Sequence, residues 1–230
     1  MPSPVKTPEG VPQDVAAIRK QIRAFLGTLA PNGLRVGNAR WGVYAFFDYD
    51  GEPIYVGQTN EMLRSRIGRH LTNQRTDAVA MNVLDPFEVA EIEVWPLWEL
   101  QDRDSKDQEA KGLLNSAEYT VFQQVLSKSS FGAVLKEGDI APTQLIELPA
   151  SARGSIIPDE LYSLRKHPDI RIARRATTIA ALARVISERD VSDGLRRTLV
   201  TQAKRLERLA SQRFAELGGK VPTVEPGAEV

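Results

Sequence analysis

The sequence predicts an α+β unit followed by an all-helical C-terminal domain. Three observations carry that expectation. An aromatic and β-branched run folds back on itself around an Asp-Gly dipeptide, helical periodicities flank it on both sides, and from Pro158 onward only helical spacing remains. The chain has 230 residues, 42% of them hydrophobic and 26% charged, an ordinary globular composition with room for two compact units. The expected boundaries are an N-terminal helical segment over 1–35, an α+β domain over 36–152, a basic helical domain over 153–217 and a disordered tail over 218–230.

Val15, Ile18, Ile22, Phe25, Leu26 and Leu29 recur at spacings of three and four, which predicts a helix over 12–30. Trp41 to Tyr49 is dense in strand-forming residues, Asp50-Gly51 is a tight-turn dipeptide, and Ile54 to Gly57 resumes the strand, so a β-hairpin is expected over 41–57. Asn60 is a candidate cap for a helix over 61–71 whose apolar stripe is Leu63, Ile67 and Leu71. A polar loop around Asn73 to Thr76 follows. Val89, Ile92 and Val94 suggest a strand over 87–97, and Leu113, Leu114, Ala117, Val121, Phe122 and Val125 a long helix over 105–127. A short strand is expected over 143–148. Beyond Pro158, apolar residues from Leu161 to Ile186 and from Leu195 to Leu209 predict further helices, the last over 191–217.

The chain contains no cysteine, which excludes disulfides, thiolate nucleophiles and zinc or iron–sulfur sites built on thiolates. Its two histidines, His70 and His167, cannot form a multi-histidine centre, so a metal would rest on oxygen ligands, as Mg²⁺ or Mn²⁺ does. No apolar run approaches the roughly 20 residues of a membrane span, and the first residues lack the apolar core of a signal peptide. A cytoplasmic location is the default expectation. Thirty basic and thirty acidic residues cancel overall, yet 1–152 holds 15 basic against 20 acidic residues and 153–214 holds 14 against 7. The basic helices, with Arg174, Arg175, Arg196 and Arg197 among them, are a candidate phosphate-facing surface or a dimerisation bundle.

Arg66 and His70 stand four residues apart on one helix face, which brings a cation and an imidazole together. Glu118 lies among Leu114, Val121 and Phe122, and a carboxylate in an apolar stripe calls for a cation, a metal or hydrogen-bond donors. Tyr44 and Tyr55 occupy the two arms of the hairpin, with Gly42 and Gly57 near its open end.

Taken together, Gly42-Val43-Tyr44, ten intervening residues, Tyr55-Val56-Gly57, then Leu63-Arg64-Ser65-Arg66-Ile67, His70 and the later Asn115-Ser116-Ala117-Glu118-Tyr119 resemble the GIY-YIG nuclease signature. The resemblance spans about 41–130. It implies a small three-stranded antiparallel sheet flanked by helices and metal-dependent hydrolysis of phosphodiester bonds in DNA, with RNA as an alternative substrate. It further implies that Glu118 holds the metal, Tyr44 serves as general base or water-orienting group, Tyr55 supports it, Arg66 stabilises the phosphate and His70 assists proton transfer. Arg64 competes with Arg66 for the phosphate, and Arg69 on the same helix is a further candidate for nucleic-acid contact. Two features depart from the family pattern: one extra residue before Arg66, and no Asn after position 115, where Gln123, Gln124, Ser129 and Ser130 are the available polar residues. A non-catalytic nucleic-acid-binding module is the alternative reading.

Overall fold

The computed structural model describes residues 13–72, 84–135, 140–191 and 193–220. Contacts divide the chain into two compact units, one ending at Ser163 and one beginning at Leu164. The expected polar loop at 73–76 lies outside the described residues, as does the tail from 221.

The first unit is built on a four-stranded sheet. Its strands are β1 (Gly42–Phe47), β2 (Pro53–Thr59), β3 (Glu91–Pro96) and β4 (Ala152–Ser155), all antiparallel in the order β2-β1-β3-β4. Around it lie α1 (Gln13–Leu26), α2 (Leu63–Thr72) and α3 (Gln108–Lys128). All six residues of β1 are buried, because it is central and covered on both faces, which explains its near-continuous apolar sequence. Trp41, Val43, Ala45 and Phe47 point to one face, where they pack with Val56, Trp95 and the α3 residues Ala110, Leu114, Ala117, Val121 and Val125. Gly42, Tyr44 and Phe46 alternate to the other face, toward α2.

The hairpin turn uses Asp48 rather than the Asp50-Gly51 pair alone. Its carboxylate accepts from the Asp50 and Glu52 amides at 2.9 and 3.0 Å, while Gly51 takes a φ of 73° that favours glycine. At the start of α2, Asn60 does not cap. Its side-chain amide donates to the Ser105 carbonyl at 3.2 Å, the Glu61 amide is taken by Thr59 Oγ1 at 3.1 Å, and the helix begins at Leu63, whose amide bonds the Ala39 carbonyl at 2.9 Å. The helix expected over 105–127 starts at Gln108, because Asp107 caps it by accepting from the Glu109 and Ala110 amides.

The sheet has four strands, not three, and the fourth is not the expected one. Residues 143–148 run without regular structure against α3: the Ile146 amide donates to Thr120 Oγ1 at 3.1 Å, and Ile146 and Leu148 pack on the core cluster. Their alternation answers a helix surface instead of a neighbouring strand. The fourth strand, Ala152-Arg-Gly-Ser155, has no apolar periodicity, since it is a short edge strand held to β3. Arg153 pairs with Glu91 at 2.7 Å and its guanidinium lies 3.8 Å over the Phe47 ring. Gly154 leaves room for Phe25 of α1, whose ring a Cβ would meet at 2.8 Å. The boundary expected at 152/153 therefore falls inside β4.

After α4 (Asp159–Lys166), the second unit consists of α5 (Pro168–Glu188) and α6 (Asp193–Glu216), packed together. Arg213 near the end of α6 grips Asp169 at the start of α5 through Nε at 3.0 Å and Nη2 at 3.2 Å, so the two helices run antiparallel.

Replacing Asp107 by Ala removes the cap of α3 and is expected to cost about 1 kcal/mol of stability, read from urea unfolding. An unchanged midpoint would show that the cap carries no weight.

Candidate active site

The cross-strand register sets Tyr44 directly opposite Gly57. A Cβ at position 57 would lie 2.7 Å from Tyr44 Oη and 2.9 Å from Tyr55 Cε1, so the Tyr44 ring rests on bare backbone and glycine is the residue that admits it. Gly42 plays the same part toward the helix. A Cβ there would meet the Trp95 carbonyl at 2.9 Å and Leu63 Cδ1 at 3.2 Å, so its absence lets α2 settle close to the sheet.

Leu63 and Ile67 anchor α2, and the next positions on its flank bring Arg66 and His70 to the tyrosines. Tyr44 Oη and His70 Nε2 are 2.9 Å apart, and Arg66 Nε donates to the same phenol oxygen at 3.3 Å. Tyr55 stacks on Tyr44 with ring centroids 6.2 Å apart and lies 5.4 Å from the His70 ring, and Phe46 closes the aromatic cluster. Four of the expected site residues, Tyr44, Tyr55, Arg66 and His70, thus form one contiguous group.

His70 is fully buried. Burial, then the charges of Arg66 and Arg69, lower its pKa from 6.5 to about 4, so the imidazole is neutral at pH 7. Its Nδ1 has no hydrogen-bond partner among the described residues, which leaves the Tyr44 hydroxyl as the group that orients the ring.

Glu118 is half-buried, not enclosed in the apolar stripe, because that stripe is centred on Leu114, Ala117 and Val121 and Glu118 falls one position to its side. One turn earlier on α3, Asn115 Oδ1 accepts from Gln58 Nε2 at 3.0 Å. This bond ties α3 to the residue following Gly57. Sequence reading missed the Gln58–Asn115 link, and its only signal was the position of Gln58 directly after the Tyr-Val-Gly tripeptide.

Among the described residues no group of three or more His, Asp or Glu side chains is placed to cage a metal. A single protein carboxylate, here Glu118, fits Mg²⁺ or Mn²⁺, which keeps most of its waters and shares the remaining positions with substrate phosphate. It does not fit a site that needs several protein ligands.

Arg64 and Arg66 diverge in space. Arg64 Nη1 donates to Asn38 Oδ1 at 2.8 Å on the other flank of α2, whereas Arg66 reaches Tyr44. Arg69 forms a two-pronged ion pair with Glu61. Ser129 and Ser130 are engaged with Glu52: Ser129 Oγ donates to Glu52 Oε1 at 2.6 Å and the Ser130 amide to Oε2 at 3.0 Å, beside the closed end of the hairpin. Gln123 and Gln124 lie on α3, one and two positions beyond Phe122. In the second unit Arg196 and Arg197 are exposed and Arg174 is half-buried. Arg175 is buried instead, with Nη1 donating to the Arg205 carbonyl at 3.0 Å, and it serves helix packing rather than an outer surface.

The family model described as the GIY-YIG catalytic domain matches residues 40–120. This stretch is similar to the GIY-YIG catalytic domain. The match takes in both tyrosine tripeptides, the α2 pair and Glu118, so the matched stretch contains the whole aromatic and cationic cluster. No curated protein and no solved structure matches the chain.

Two outcomes follow from this geometry. Gly57→Ala is expected to displace the Tyr44 ring and lower stability by about 2 kcal/mol, seen in chemical denaturation; a stability equal to wild type would mean that the ring does not depend on the bare backbone. Because the folded pKa of His70 lies below its unfolded value, the unfolded chain takes up this proton first as pH falls, and stability is lost between pH 6.5 and about 4. Going from pH 7.5 to 5 is expected to remove about 2 kcal/mol through this group. His70→Gln should flatten that part of the profile, and an identical profile in the variant would contradict the assignment.

Proposed function

We propose that the chain is a metal-dependent endonuclease that hydrolyses phosphodiester bonds in DNA. The observation that carries this reading is the Tyr44 hydroxyl held between His70 Nε2 and Arg66 Nε in a stretch similar to the GIY-YIG catalytic domain. Hydrolysis requires an oriented water, a way to move its proton and stabilisation of the charge that builds on the phosphoryl oxygens.

Tyr44 orients the attacking water and receives its proton while passing its own to His70 Nε2. The neutral state of His70 leaves a lone pair for that transfer. Arg66 donates to the phenol oxygen through Nε, and its guanidinium charge would offset the charge that builds on the phosphoryl oxygens, so one side chain serves both the base and the charged oxygens. Tyr55, stacked on Tyr44 and against His70, fixes both rings. Glu118 would hold Mg²⁺ or Mn²⁺, which when bound supplies positive charge to the phosphate and the leaving oxygen. Arg174, Arg196 and Arg197 supply contacts to the DNA backbone from the second unit.

The test incubates purified protein with supercoiled plasmid and with labelled single-stranded and duplex oligonucleotides in Mg²⁺, Mn²⁺ or EDTA. Cleavage is expected with either metal and not in EDTA, and Arg66→Ala and Glu118→Ala should each reduce it by at least 100-fold while the fold, followed by circular dichroism, is kept. Near wild-type cleavage by either variant would overturn the site. One observation favours the non-catalytic alternative: no Asn follows position 115, and Ser129 and Ser130 are engaged with Glu52. That reading would be supported by a wild type that binds DNA, never cleaves it, and binds equally well as Glu118→Gln.

A further inference from the structure

A cleft of about 560 Å³ opens between α1 and α2. Arg19 and Arg23 of α1, Arg35 of the loop that follows and Arg64 of α2 line it, and none of its lining residues is acidic. This gathering of basic side chains runs against the local balance, since acidic residues outnumber basic ones over 1–152. Four guanidiniums around one cavity concentrate positive potential, and an anion is the ligand that such a field collects. Arg64 is oriented by the neutral side chain of Asn38, so the bond fixes its direction and leaves its charge in place. Gly68 forms part of the wall, and a Cβ there would meet nothing within 4 Å, so the helix presents bare backbone to open space. Arg19, Arg23 and Arg35 fall outside the stretch 40–120 that matches the GIY-YIG catalytic domain.

The position of the cleft indicates which anion. On α2, Arg66 and His70 occupy one flank and Arg64 and Gly68 the other, offset by two residues and therefore on opposite sides of the helix. Leu63 and Ile67 between them are buried, and so is His70, while Arg66 on one flank is half-buried and Arg64 on the other is exposed. A helix with its side chains is about 10–12 Å across. The major groove between the two backbones of a DNA duplex is about 12 Å wide.

We propose that the arginine cleft is a second phosphate subsite, which holds the sugar–phosphate backbone of the strand opposite the one being cut while Arg66 faces the scissile phosphate across α2. The proposal rests on the nuclease reading above. It assigns α1 and the loop after it a role in substrate binding, and it makes affinity for duplex greater than for a single strand.

The test measures binding of the full chain to labelled duplex and single-stranded oligonucleotides in EDTA by fluorescence anisotropy, from 50 to 200 mM salt. Arg23→Ala/Arg35→Ala removes two charges from the cleft, Gly68→Glu places a carboxylate in it with every arginine kept, and Lys106→Ala/Lys128→Ala is the control of equal charge loss. The arginine pair is expected to weaken duplex binding roughly tenfold and to reduce the salt slope by about 2, and Gly68→Glu to weaken it as well. The lysine control and all single-strand affinities should stay within about twofold of wild type. Thermal melts show that each variant is folded. If wild type binds duplex and both cleft variants match it in affinity and slope, the proposal is overturned while the nuclease reading stands. If wild type binds neither oligonucleotide, both fail. Calorimetric titration with inorganic pyrophosphate separates the remaining source: pyrophosphate binding lost in the arginine pair, with duplex affinity unchanged, would assign the cleft to a small free anion and overturn the strand assignment.

Discussion

The cluster around Tyr44 depends on an absence of atoms. The ring of Tyr44 needs a surface to lie on inside a sheet, and Gly57, paired directly across from it, provides backbone with no side chain. Once the ring is seated there, its hydroxyl emerges at a fixed point, and the spacing along α2 delivers His70 and Arg66 to that point. Gly42 acts in the same way one layer out, because α2 comes close only where Leu63 can rest against a bare strand position. Two glycines and two tyrosines in register form one steric unit. Arg66 and His70 are attached to it through a single helix.

Burial of His70 sets a second constraint. An imidazole inside an aromatic cluster and near two guanidiniums is held neutral, which costs stability in acid and keeps an uncharged ring hydrogen-bonded to the phenol at neutral pH. A charged imidazole in the same place would add a third positive charge beside Arg66 and Arg69. The same placement that disfavours the protonated ring thus preserves its hydrogen-bonding function.

The elements that touch the core were legible in the sequence, because apolar periodicity reports burial. The hairpin, α2, β3, α3 and the C-terminal helices all carry it, and Tyr44, Tyr55, Arg66 and His70 were readable as one group from their order. What was not legible has physical causes. β4 is held by Arg153 and Glu91 and by the fit of Phe25 over Gly154, features that leave no alternation. Residues 143–148 alternate because Ile146 and Leu148 pack on α3, and a helix surface can select the same pattern as a sheet face. The cap of α2 was misplaced since Asn60 is drawn to the Ser105 carbonyl, a contact between residues distant in sequence. Arg175 shows the limit of counting charges: a guanidinium can satisfy a neighbouring helix carbonyl as readily as it meets solvent.

The two margins of the sheet are unlike its centre. On the β2 side, Leu135 lies alongside as an isolated parallel bridge, accepting from the Val56 amide at 3.0 Å and donating to the Ile54 carbonyl at 2.9 Å. On the other side β4 runs for only four residues and bears a charged arginine and a glycine. A strand border of that kind is a poor template for a stray chain, since few backbone groups are left in sequence to pair and a charge would have to be carried along. The sheet is therefore guarded against edge-to-edge growth, and a protein built on its most apolar strand at the centre keeps that strand out of reach of self-association.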